Sequence, residues 1–144
     1  YDMFSQQLKV RGIEIEAALA ENLPLVKVDP DRLEQVFINL LINARDAIMD
    51  RVEVEETPAV EKKIFLITRF EAHKVIVEIC DSGVGIPAGM ADKIFEPFFT
   101  TKEVGKGTGL GLSISYGIVK DFGGRIYTKP RTGGGACFVI QIPA

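Results

Sequence analysis

A chain of 144 residues, 47% apolar and 26% charged, has the length and mixture of one soluble globular domain with a single core, not of a disordered or fibrous protein. Its 17 basic and 20 acidic side chains leave a net charge of −3, and no Lys/Arg stripe runs along it, which sets nucleic acid aside as a partner. No apolar run approaches the roughly 20 residues that span a bilayer. The N-terminal YDMFSQQLKV lacks the apolar stretch of a signal peptide, so a soluble domain without membrane contact is expected. Cys80 and Cys137 lie far apart in strand-like runs with no C-x-x-C or Cys/His cluster, and are read as two reduced structural thiols.

Gly12 to Leu19, GIEIEAAL, alternates apolar and acidic residues with the period of a half-buried strand, and LPLVKVD follows as a second, short one. Asp29-Pro-Asp-Arg offers an N-cap Asp with proline at the first helical position. The helix is expected to run to about Met49, with Leu33, Val36, Phe37, Leu40, Ala44, Ala47 and Ile48 on one apolar face. VEVEETPAVEKK, charged and carrying Pro58, reads as a solvated loop. IFLITRFEA and KVIVEIC then form two strands joined through His73. From Asp81 to Gly111 glycines and prolines crowd a long functional loop. From Gly109 LGLSISYGIVKDFGG has helical spacing and ends at Gly123-Gly124; RIYTKP and GACFVIQIP close the chain as strands around the turn Arg131 to Gly135. Strands at both ends with helices between them predict an α+β fold, a two-layer sandwich without an internal repeat or domain break.

Three stretches could carry chemistry. Asn39, Asn43 and Asp46, four and three apart, fall on one stripe at the border of the apolar helix face. They either hydrogen-bond a neighbouring loop or present oxygens to a hydrated Mg²⁺ and phosphates. Asp81-Ser-Gly-Val-Gly-Ile-Pro delivers a carboxylate to the end of a buried strand, where it needs a donor such as the exocyclic amine of adenine, while Gly83 and Gly85 leave room for a flat ligand. The bland reading is an acidic turn after a strand. Gly105-Lys-Gly-Thr-Gly-Leu-Gly-Leu aims free backbone N–H groups at an anion, but fits neither the dinucleotide fingerprint nor the Walker A spacing. Just before it, FEPFFTTK reads either as a lid whose Lys102 reaches phosphates or as core packing of Phe95, Phe98 and Phe99.

Taken in order, DPDRLEQVFINLLINARDA, DSGVGIP, FEPFFTTK and GKGTGLGLSI resemble the N, first glycine, F and second glycine boxes of the sensor histidine kinases, within the ATPase superfamily shared with DNA gyrase, Hsp90 and the MutL proteins. The likeness covers Gly12 to Pro143, and its wording is most similar to the nitrogen-regulation and dicarboxylate-sensing kinases. It implies a mixed, mostly antiparallel sheet of about five strands on about three helices, with a flexible ATP lid, over residues 12–144. Residues 1–11 would be a linker from a helical dimerisation domain. It further implies that Asn43 supplies an oxygen to Mg²⁺ with Asn39 in support, that Asp81 accepts from adenine, and that Gly83, Gly85 and Ile86 wall the base with Ala47 beside them. Lys102, Gly107, Thr108, Gly109, Leu110, Gly111 and Leu112 would hold the triphosphate. Two departures stand out: Asp46 where many relatives carry a basic residue, and Cys137 where threonine is common, which would remove a hydroxyl from beside the base.

The hydrolysing members of the superfamily place a water-activating Glu where this chain has Asn39, which cannot act as a general base. The resemblance therefore implies transfer of the γ-phosphoryl group of ATP to a histidine on a separate helical domain, with a response regulator downstream and a cytoplasmic setting. The alternatives are a hydrolytic ATPase of the gyrase or Hsp90 type and a non-catalytic nucleotide-binding adaptor. The one histidine, His73, has no acceptor motif around it, and with no dimerisation helix in sight the chain is expected to be a monomer.

Overall fold

The computed structural model describes residues 12–19, 29–55, 62–86, 94–95, 111–131 and 134–143. In chain order these form β1 (Glu14–Ala18), α1 (Pro30–Glu55), β2 (Lys63–Glu71), β3 (Lys74–Asp81), α2 (Gly111–Asp121), β4 (Arg125–Pro130) and β5 (Ala136–Pro143). The strands make one five-stranded sheet in the order β1-β2-β3-β5-β4. Only β1 and β2 are parallel; the other three pairings are antiparallel. This is the expected two-layer sandwich with a mixed, mostly antiparallel sheet. Of the roughly three helices expected, two lie among the described residues. The proposed strand LPLVKVD up to Val28, the lid beyond Phe95 and the linker over 1–11 lie outside them.

Helix α1 starts where its sequence says it should. The Asp29 carboxylate accepts from the Asp31 N–H at 2.9 Å and the Asp29 carbonyl accepts from Leu33 N–H at 3.0 Å, an N-cap with Pro30 at the first position. Val36, Leu40, Ala44 and Ile48 along the predicted stripe are all but fully buried, and Leu41 joins them. Each of the larger aliphatics contributes about 1.5–3 kcal/mol through burial. The end of this helix corrects the sequence reading: it runs past Met49 to Glu55, so Val52 to Glu55 are helical, not loop. The charged Val-Glu alternation carries no breaker before Pro58, and Glu is a good helix former, so nothing local stops the helix sooner.

The apolar layer between sheet and helices contains Ile64, Ile79, Phe138, Ile140, Ile142 and Ile126 from the strands, against α1 and against Ile118 and Val119 of α2. Helix α2 closes with a Schellman arrangement: Gly123, at φ 74°, donates to the Lys120 carbonyl at 2.9 Å, and Gly124 donates to Val119 at 2.9 Å. The β2–β3 hairpin turns tightly through Ala72 and His73, both at positive φ, as expected of a two-residue loop.

The cysteine reading is overturned. Antiparallel pairing sets Cys80 directly opposite Cys137, and the structure joins them as a disulfide across 57 residues of chain. Distance along the sequence says nothing about strand register. Both side chains lie on the sheet face away from the helices, since their neighbours Ile79 and Phe138 belong to the helix-side core and strand side chains alternate.

Candidate nucleotide site

Asp81 ends β3 and is 1% exposed. Its Oδ1 accepts from the Gly83 N–H at 2.9 Å, and the Ala136 N–H on the neighbouring strand also donates to the carboxylate. Burial raises its pKa from the usual carboxylate range to about 6, opposed by these two backbone donors and, at longer range, by the charge of Arg131. A carboxylate offers about four acceptor positions. Two are occupied by backbone, and among the described residues Asp81 makes no salt bridge, so accepting capacity remains for a ligand donor.

The loop after Asp81 is fastened to both layers. Ser82 is fully buried; its hydroxyl accepts from Lys63 N–H at 2.9 Å, and its carbonyl accepts from the Arg51 guanidinium at 2.8 Å. Val84 N–H donates to the Ala47 carbonyl at 3.2 Å, docking the loop on α1. This contact explains Gly83: a Cβ there would lie 2.5 Å from the Ala47 carbonyl carbon and 2.6 Å from its oxygen, both rigid backbone. Gly135 is more tightly constrained still, with φ 101° and a hypothetical Cβ only 1.9 Å from the Asp81 carbonyl oxygen. Gly85 has φ 79°, and Ile86 packs against the core.

On α1 the predicted stripe divides. Asn39 donates to the hydroxyl of the buried Ser115 on α2 at 3.3 Å, so this amide ties the two helices together. Asp46 accepts from both the Nε and Nη2 groups of Arg45, at 3.2 and 3.1 Å, which puts a guanidinium beside the position where the resemblance leads to the expectation of a basic residue. Asn43 is half-buried and has no hydrogen-bonding partner among the described residues. It sits one turn before Ala47, on the same side of the helix as the docked loop. A neutral amide oxygen suits Mg²⁺, which takes few protein ligands and keeps several waters.

Asn39, Asn43, Ala47, Asp81, Gly83, Gly85 and Ile86 thus come from α1 and the end of β3. Gly111 begins α2 and Leu112 packs against the core. Lys102, Gly107, Thr108, Gly109 and Leu110 lie outside the described residues, as do Phe98 and Phe99. Phe95 packs edge-on against Phe138 with centroids 6.2 Å apart and also meets Tyr116, so the core reading holds for this ring. By alternation the Cys137 side chain points to the sheet face away from Asp81, and the group on β5 that reaches the carboxylate is the N–H of Ala136. Sequence reasoning missed Ser82, Arg51, Ala136 and Gly135. The run Gly133-Gly134-Gly135 before the last strand was the available signal for the last of these.

Comparison with known proteins follows the same lines. Residues 28–144 match the family of histidine kinase-, DNA gyrase B- and HSP90-like ATPases. The chain is 44% identical to the sensor kinase CckA of Brucella abortus, over 98% of this chain but 15% of that protein. Among solved structures it is similar to the catalytic domain of the histidine kinase ThkA, with a TM-score of 0.80 and 35% identity over 99% of this chain and 88% of that one. ThkA in complex with the response regulator protein TrrA matches with a TM-score of 0.76 and 33% identity, over 99% of this chain and 37% of that one. Full-length ShkA in complex with AMPPNP matches with a TM-score of 0.79 and 27% identity, over 99% and 28% of the two chains. With the four boxes in order, the sandwich, and a buried carboxylate at the end of the central strand, the chain belongs to this ATPase family, as the ATP-binding catalytic domain of a sensor histidine kinase.

Proposed function

We propose that this domain binds ATP with Mg²⁺ and presents the γ-phosphoryl group to a histidine on a separate helical dimerisation domain, for onward passage to a response regulator in the cytoplasm. The observation that carries the nucleotide part is Asp81, a buried carboxylate with backbone donors and spare acceptor capacity. An adenine amine supplies the missing donor, and Gly83, Gly85 and Ile86 leave a flat wall for the ring. Asn43, with its amide unpartnered among the described residues, would hold the metal, whose charge neutralises the phosphates when bound. Lys102, Gly107, Thr108, Gly109 and Leu110, with Gly111 and Leu112 at the start of α2, are assigned to the triphosphate on the strength of their motif.

Transfer is favoured over hydrolysis because Asn39 has no basic atom for a water proton and its amide is spent on Ser115. What remains for the protein is to position donor and acceptor, which is most of what phosphoryl transfer needs. The acceptor must come from elsewhere. His73 lies in the β2–β3 turn, at the opposite end of β3 from Asp81, and eight residues of strand separate the two by roughly 25 Å. ThkA, solved with TrrA, offers the precedent for the downstream partner.

Calorimetry of the purified chain with ATP, with and without Mg²⁺, tests the reading. Binding enhanced by Mg²⁺, an enhancement that shrinks in Asn43→Ala, and negligible phosphate release are expected. Incubation with γ-labelled ATP should leave no acid-labile label on the chain until the cognate helical domain is added. Rapid hydrolysis would favour the gyrase-type ATPase, and stoichiometric phosphohistidine lost in His73→Gln would overturn the division into two parts.

A further inference from the structure

The nucleotide site uses one face of β3. The other face holds Cys80, Cys137 and Glu78, three groups whose sulfur and carboxylate atoms lie within 4.8 Å of one another. A cation is a poor occupant there, because Glu78 already accepts from Arg69 and from Lys129, whose Nζ is 3.0 Å away, and both partners repel a metal. Two sulfurs already set against each other across the strands suit oxidation to a disulfide better. The chain has two cysteines in all, and the fold puts them opposite each other.

Their place in the register couples them to the site. Cys80 is bonded in sequence to Asp81 and Cys137 to Ala136, and Asp81 and Ala136 form the next pair along the same two strands. Ala136 is the residue whose N–H donates to the Asp81 carboxylate, and the Gly135 backbone runs so close to the Asp81 carbonyl that no side chain fits between them. We infer that Cys80 and Cys137 form a reversible dithiol–disulfide pair that adjusts the adenine end of the nucleotide site to the oxidation state of its surroundings. Proteins of reducing compartments seldom keep permanent disulfides, and those that form there are commonly transient and redox-sensing. The inference rests on the proposed ATP site.

The chemistry balances with a peroxide as oxidant. One thiolate attacks a peroxide oxygen, the O–O bond breaks and hydroxide leaves to become water, giving a sulfenic acid. The second thiol attacks that sulfur, the S–S bond forms, and a second water departs. Two electrons pass from the sulfurs to the peroxide; an external dithiol returns them by exchange. Each cysteine is 5% exposed, enough for a small oxidant and restrictive for a bulky one. In the oxidised form the bond holds the β3 and β5 ends together, so Asp81 and Ala136 are preorganised. In the reduced form two unbonded sulfurs need more room between the strands, and part of the binding energy goes into closing them.

The test compares the intact chain after hydrogen peroxide with the chain kept in dithiothreitol, reading disulfide content by alkylation and mass and ATP affinity by calorimetry. Peroxide should remove both thiols together, with a loss of two hydrogens within one chain, and the oxidised form should bind ATP roughly 3- to 10-fold more tightly. Cys137→Thr, checked for folding by circular dichroism, should bind equally under both conditions. Separate oxidation of the two sulfurs, or a disulfide between chains, overturns the pair. Equal ATP affinity in the two forms overturns the coupling and leaves the nucleotide assignment standing. Failure of both forms to bind ATP overturns that assignment and the coupling with it.

Discussion

Two carboxylates are buried on β3 three residues apart, on opposite faces of the sheet, and they are handled in opposite ways. Glu78 is ringed by charge. Burial opposes its ionisation most strongly, yet hydrogen bonds and attraction from Arg69 and Lys129 outweigh it and hold the pKa below the ordinary value. Among the described residues Asp81 has backbone N–H groups and only the more distant charge of Arg131 to oppose it, so burial wins and its pKa rises to about 6. The first arrangement is complete within the fold and braces three strands. The second costs stability in the empty domain and leaves accepting capacity on the carboxylate. Burial of a carboxylate is therefore a weak sign of function, whereas burial without a matching charge is a strong one.

The largest effect is expected from breaking the frame that holds Asp81. Gly135→Ala puts a methyl group where the Asp81 carbonyl oxygen sits, at a φ that L residues rarely adopt. It should cost about 3 kcal/mol or more, read as a fall of roughly 10 °C in the melting temperature, and should remove ATP binding with it. Asp81→Asn separates stability from function. The amide keeps an acceptor for the backbone donors and loses the unpaired charge, so the empty domain should gain about 1–3 kcal/mol near neutral pH. ATP affinity should fall roughly 5- to 150-fold, because the amide turns a donor toward the adenine amine. A variant both less stable and unchanged in ATP affinity would cancel the contrast between the two carboxylates.

Acidity offers a subtler comparison. The folded pKa of Asp81 is raised from 3.8 to about 6, so its contribution to stability is full below about pH 4 and is lost as pH rises through 6. Glu78 runs the other way: its pKa is lowered, so its contribution is present above the unfolded value of 4.5 and is lost as pH falls through the folded one. Melting temperatures between pH 4 and 7 should therefore decline more with rising pH in the parent than in Asp81→Asn. ATP affinity should respond oppositely. Below pH 6 a proton occupies the acceptor, and affinity relative to Asp81→Asn should drop up to tenfold per pH unit. Parallel pH profiles for the two proteins would show that Asp81 does not titrate in this range.

Much of this was legible in the sequence, for identifiable reasons. The Asp29-Pro30 cap, the apolar stripe from Leu33 to Ile48, the strands around His73 and the Gly123-Gly124 stop are local signals, and each appears where local physics puts it. Asp81, Gly83 and Asn43 were singled out because their residue types are unusual for a strand end or a helix face. What stayed hidden depends on register. The Cys80–Cys137 pairing, the donation from Ala136 and the clash at Gly135 arise only when β5 lies antiparallel to β3. The misplaced end of α1 is a different failure, since the charge of Val52 to Glu55 and the nearby Pro58 made an unbroken run of helix read as a solvated loop. Asn39 was placed correctly on the helix, but its hydrogen bond to Ser115 depends on how α1 and α2 pack, which no spacing along one helix reveals.

Glu78→Gln should produce the smallest change and sharpen the comparison most. Glutamine keeps the shape and one acceptor oxygen, so a hydrogen bond from Arg69 or Lys129 survives while the charge is lost. Those two partners are 34% and 47% exposed, so water can solvate whichever cation is released and the penalty of a stranded buried charge is avoided. The cost should be about 0.5–1.5 kcal/mol, a shift of a few degrees in melting temperature that shrinks in high salt as Arg69 and Lys129 become screened. ATP affinity should stay within about twofold of the parent, because the substitution leaves the backbone of β3 and the Cys80–Cys137 bond in place. A tenfold loss of ATP affinity with intact folding would mean that the charge network itself helps to set the position of Asp81.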